Sequence, residues 1–156
     1  MRVVTFFLFL INIMVIYSQS GWTKISPDFI SSETMTINSQ GHIFVGTYFT
    51  GIFRTTDEGQ NWEQIIVDST ILINQIAADS EDRLFLGTNS WGVWISSDNG
   101  DNWIQTSCNT AEVSDIATNS NDDIFASNID NGGGIFRSTN MGNSWTHFYP
   151  DTILQY

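Results

Sequence analysis

The chain has 156 residues, 41% of them hydrophobic, and its 17 acidic against five basic residues give a formal net charge of −12. That balance argues against nucleic acid or an anionic membrane surface as a partner, since both are recognised through basic patches. A single cysteine, Cys108, excludes an intrachain disulfide and reads as an ordinary loop or strand-end thiol.

The N-terminus has signal-peptide anatomy: Met1-Arg2, an apolar run over residues 3–17, then the small polar stretch Ser18-Gln19-Ser20. We expect residues 1–19 to be a leader and 20–156 an exported, soluble domain, free of the membrane after cleavage. The alternative is an uncleaved anchor, although the run is short for a span and is interrupted by Asn12. No cysteine follows the run to support a lipoprotein anchor. Loss of Arg2 would leave four basic and 17 acidic residues, a net of −13.

Three further stretches of chain repeat one another. Segments 33–39, 42–47, 51–56 and 61–67 read as four short strands, and the pattern recurs over 71–79, 83–88, 91–97 and 102–107. It recurs again over 111–119, 122–127, 133–139 and 144–149. Each is a β-branched or aromatic run bounded by Gly, Asn, Asp or Ser, and nothing after residue 19 has sustained helical periodicity. The second segments match closely, as Ile43-Phe44-Val45-Gly46-Thr47, Leu84-Phe85-Leu86-Gly87-Thr88 and Ile124-Phe125-Ala126-Ser127.

Between the third and fourth segments of each unit lies an eight-residue motif. It reads Thr55-Thr56-Asp57-Glu58-Gly59-Gln60-Asn61-Trp62, then Ser96-Ser97-Asp98-Asn99-Gly100-Asp101-Asn102-Trp103, then Ser138-Thr139-Asn140-Met141-Gly142-Asn143-Ser144-Trp145. The tryptophans fall at 62, 103 and 145, spacings of 41 and 42 residues. Such a period marks a repeat architecture. Within the motif, Asp57, Asp98 or Asn140 can accept backbone hydrogen bonds, Gly59, Gly100 and Gly142 can supply a positive φ, and the tryptophan can cover the turn.

On these residues the chain resembles the Asp-box, or BNR-repeat, β-propellers, a group that includes sialidases, xyloglucan-active endoglucanases and sortilin-type receptors. The resemblance implies an all-β fold: a partial β-propeller of about three four-stranded blades, near 33–67, 71–107 and 111–149. Residues 18–25 align with the end of a motif and imply an orphan outer strand. Closed propellers have about four to eight blades. The leading expectation is therefore the N-terminal part of a longer protein, whose missing C-terminal blades would pack on this piece. The rival is a ring assembled from several copies of the chain.

For function the expectation leans away from catalysis, towards a binding or scaffolding module outside the cell. Sialidases hold a substrate carboxylate with three arginines, whereas Arg54 and Arg137 occupy equivalent places in different units and Arg83 lies at a hairpin. The alternatives are the N-terminal part of a glycoside hydrolase with catalytic residues beyond Tyr156, and a small oligomeric lectin. His42 and His147 stand at unrelated repeat positions, and Asp98-Asn99-Gly100-Asp101 lacks the alternating ligands of a calcium loop. We therefore expect neither metal nor cofactor. The connections between second and third strands carry Tyr48, Phe49, Asn89, Trp91, Asn128 and Asp130, aromatic rings beside amides and an acid. This is the candidate face for a carbohydrate or protein ligand. The competing view packs Tyr48, Phe49 and Trp91 between units.

Overall fold

The computed structural model describes residues 23–26, 32–109, 112–128 and 133–148. They form three four-stranded antiparallel sheets, each built from strands consecutive in the chain. The first contains β1 (Thr34–Ile37), β2 (Ile43–Thr47), β3 (Gly51–Thr55) and β4 (Glu63–Ile65). The second contains β5 (Ile73–Ala78), β6 (Leu84–Thr88), β7 (Val93–Ser96) and β8 (Ile104–Gln105). The third contains β9 (Val113–Thr118), β10 (Ile124–Asn128), β11 (Gly134–Ser138) and β12 (Thr146–Phe148). The leader expected over 1–19 lies outside the described residues. Among those residues no helix is long and apolar enough to cross a membrane.

Sheet stacks on sheet. Phe44 and Ile52 of the first meet Ile76, Leu84 and Leu86 of the second in one core, and Phe85 and Val93 of the second meet Ile116, Ile124 and Ala126 of the third in another. A sheet covered on both faces needs apolar residues at successive positions. That is why every residue of β6, in the middle sheet, is buried. In β10, with one neighbour only, burial alternates along the strand.

Small residues set the approach of the sheets. A Cβ on Gly46 would lie 3.0 Å from Ile73 Cγ2, and one on Gly87 would lie 2.7 Å from Val113 Cγ1. Polar side chains link the sheets as well. Ser39 donates through its N–H (2.7 Å) and hydroxyl (2.9 Å) to Asp82, and Ser80 donates likewise to Asp122 at 3.2 and 2.8 Å. The inner strands are joined by a chain in which Thr34 bonds Gln75, whose amide donates to Asp115 at 2.8 Å.

The strands are shorter than the sequence pattern suggests, most of all the outer ones. β4 has three residues and β8 two, against the expected spans 61–67 and 102–107. An outer strand pairs on one edge only, and side chains such as Ile66 and Ile104 stay exposed, so little apolar burial extends the ladder. Of the expected orphan outer strand, residues 18–22 lie outside the described residues and 23–25 carry no strand pairing. Residues 23–25 still occupy its place. A Cβ on Gly59 would lie 2.8 Å from Ile25 Cβ, just as Gly100 faces Ile65 and Gly142 faces Thr106 of the preceding sheet's outer edge.

Candidate functional site

The three motif turns share one geometry. In the second, the Ser96 hydroxyl donates to Asp98 (2.8 Å) and accepts the Gly100 N–H (2.9 Å), while Asp98 accepts the Asn102 N–H (2.8 Å) and side-chain amide (2.7 Å). Thr55, Asp57, Gly59 and Asn61 repeat this set in the first. Asn140 serves in the third, accepting from Ser138 (3.0 Å) and the Ser144 N–H (2.9 Å) while its amide donates to the Ser144 hydroxyl (2.8 Å). Two consecutive left-handed residues bend each turn: Glu58-Gly59, Asn99-Gly100 and Met141-Gly142. Trp62 and Trp103 donate their indole N–H to the motif glycine carbonyls at 3.2 and 2.9 Å, whereas the buried Trp145 Nε1 has no partner among the described residues. The tryptophans sit just before the outer strands rather than beginning them.

These hydrogen bonds favour the ionised acids and hold Asp57 and Asp98 below the ordinary carboxylate range. The first cause is the Asn61 N–H for Asp57 and the Asn102 side chain for Asp98. A depressed folded pKa gives stability that is present above the unfolded value of 3.8 and lost as pH falls through the folded one. Asp98→Asn should therefore lower the urea midpoint at pH 7, and the gap to the parent protein should narrow steadily as pH falls below 3.8. A gap that does not narrow on acidification would contradict this account of the turn.

Among the described residues the three arginines are held apart. Arg54 bridges Glu63 (2.6 Å) and Asp101 (2.7 Å), Arg83 pairs with Asp79 (2.5 Å) and Glu81 (2.8 Å), and Arg137 pairs with Asp123 (2.5 Å). Each is engaged by acids of its own or the adjoining sheet, so they do not converge on one anion. The histidines are likewise separate, with His42 against Asn99 and His147 stacked on Phe136. Burial pushes the Cys108 thiol up, away from a reactive thiolate. Among the described residues no group of three or more His, Cys, Asp or Glu could hold a metal ion.

At the opposite end from the motif turns, Thr47 and Thr88 build matching loops between the second and third strands. Each hydroxyl donates to a glycine carbonyl (Gly51, Gly92) at 2.8 Å and accepts an N–H (Thr50, Trp91) at 3.0 Å. These loops project the sequence-predicted face. Phe49 is 78% exposed and stands edge-on to Tyr48, with ring centroids 4.7 Å apart. Trp91 is exposed too, although it lies in the loop rather than in the strand expected over 91–97. Asn89 is fixed by its N–H to Leu72 O (3.0 Å) and its amide to Glu112 (3.3 Å), and Asn128 is buried. Asp130 lies outside the described residues. No protein-family model matches the sequence, and no curated protein matches it.

Solved structures do match. The GH74 xyloglucanase of Xanthomonas campestris superposes with a TM-score of 0.61 at 16% identity, over 74% of this chain and 22% of that one. YCF48 bound to a D1 peptide gives 0.61 at 19% identity, over 78% and 42%. An extracellular domain from B. thetaiotaomicron gives 0.58 at 19% identity, over 75% and 16%. This chain is a partial β-propeller. Its three sheets are blades, and it spans less than half the length of each of these three structures.

Proposed function

We propose that this propeller is an exported, non-catalytic binding module whose ligand end is formed by the loops between second and third strands. The observation that carries this is the exposure of Phe49 and Trp91 on hydroxyl-capped loops, beside the fixed amide of Asn89. Rings bared to water at anchored positions suit stacking against the apolar face of a sugar, while amides suit its hydroxyls. Separation of the three arginines supports a centre unlike that of a sialidase. Resemblance to an extracellular domain supports export, and the net charge disfavours nucleic acid.

Affinity electrophoresis of the exported protein through gels containing soluble polysaccharides, xyloglucan among them, tests the reading. Retardation by at least one glycan is expected, and Phe49→Ala and Trp91→Ala should each weaken it roughly 3- to 10-fold, the value of about 0.5–1.5 kcal/mol of aromatic contact. Unchanged folding is expected for both, since neither ring is in the core. Equal retardation of all three proteins would remove this face from the account. A peptide ligand is the second reading, favoured by the peptide held in the YCF48 structure. It predicts that the same two substitutions weaken capture of an extended peptide and leave glycan migration unaffected.

A further inference from the structure

Each outer strand sends one side chain back to the loop between the second and third strands of its own blade. Gln64, Gln105 and His147 share a repeat position, opposite Phe53, Trp94 and Phe136 in their strand pairs. The Gln64 amide donates to Thr50 O and the Gln105 amide to Trp91 O, both at 2.8 Å, and His147 Nε2 lies 3.0 Å from Gly133 O. A carbonyl only accepts, so that imidazole nitrogen carries its hydrogen. In each blade the acceptor is the residue just before the glycine that leads into the third strand: Gly51, Gly92 or Gly134. The neighbouring outer-strand positions share no such chemistry. They carry Glu63, Ile104 and Thr146 on one side, and Ile65, Thr106 and Phe148 on the other. Packing along this edge does not demand one kind of residue, yet the middle position is an N–H donor in every blade.

These bonds act on the loops that bear the exposed rings. Trp91 is held at both main-chain polar atoms, its N–H by Thr88 Oγ1 at 3.0 Å and its carbonyl by Gln105 from the outer edge. Thr50, next to Phe49, is held in the same way by Thr47 and Gln64. Gln105 also reaches Asn109 O at 3.4 Å, which ties the loop to the connection leading to Glu112, the partner of Asn89. Gln64 is exposed and Gln105 half-buried. A hydrogen bond open to water adds little to global stability, so the effect of these two is local.

We propose that Gln64 and Gln105 are positioning residues of the ligand end, fixing the peptide beside Phe49 and Trp91 and so the pose of each ring. This rests on the reading of that end as the binding face. A ring on a loop already held in place loses less freedom on binding than a ring on a loose one. The third blade also supplies a control, because His147 shows that an imidazole can take the place of the amide.

The test compares the purified parent protein with Gln64→Met and Gln105→Met, which keep the side-chain length and remove the donor, and with Gln105→His, which restores one. Amide hydrogen exchange should quicken roughly 3-fold or more over residues 48–50 in the first variant and 89–92 in the second, each in its own loop, with the urea midpoint unchanged. Glycan retardation should weaken roughly 3-fold in each Met variant, and Gln105→His should recover both the parent exchange rate and the parent retardation. Unchanged exchange in either Met variant would overturn the proposal. So would quickened exchange with undiminished retardation, or quickened exchange throughout the blade, the mark of an ordinary stabilising contact. If the parent protein is retarded by no glycan, the reading of the face falls, and the loop exchange rates alone decide whether the two amides position the rings.

Discussion

Gly92→Ala should remove a large part of the protein's stability. Gly92 has φ +67°, and a Cβ there would run into the carbonyl of Cys108. That same carbonyl accepts the Val93 N–H at 2.8 Å, and Gly92 O accepts from the Thr88 hydroxyl at 2.8 Å. The backbone cannot retreat without breaking the end of the ladder that β7 shares with the outer edge of its blade. A left-handed alanine costs about 1–2 kcal/mol, and forcing atoms into a filled space costs about 1–3 kcal/mol more. Domains hold only about 5–15 kcal/mol in total. The expected outcome is a urea midpoint lowered by a large fraction, or no soluble protein. A midpoint within error of the parent would refute the close approach.

Phe85→Ala should cost about 3–5 kcal/mol, the range for an aromatic removed from a packed core. Phe85 is fully buried and lies in the cluster with Val93, Val113 and Ile124, so its ring joins the second and third blades. Its loss opens a cavity at the junction, and hydrogen exchange should rise first in β9 and β10. Phe49→Ala is the matched control: the same ring is deleted where it is 78% exposed and meets Tyr48 edge-on, and stability should change by less than about 0.5 kcal/mol. Equal losses at the two sites would contradict the stacking of the blades.

Much of this fold is legible in the sequence because it is written three times. The motif spacing gives the blade, and Leu84-Phe85-Leu86 announces a strand covered on both faces. Other features stay hidden. Glu58, Asn99 and Met141 adopt a positive φ without any shared side-chain chemistry, so no residue type signals it. The Ser39–Asp82 and Ser80–Asp122 contacts join turns more than forty residues apart. They become readable only when the units are aligned and both partners are seen to recur. Gly46 and Gly87 look like strand breakers until the neighbouring blade supplies Ile73 and Val113. The candidate ligand face is legible as a set of loop residues, Tyr48, Phe49, Asn89 and Trp91. Which rings are bared to solvent depends on how the loops are capped, through Thr47 and Thr88.

Incubating the purified protein with xyloglucan, while following reducing ends and gel retardation in the same samples, tests most directly whether this propeller binds without catalysis. Our account predicts retardation with no release of reducing ends above the buffer control. Steady release in proportion to protein concentration would contradict it and place a hydrolytic centre within these blades.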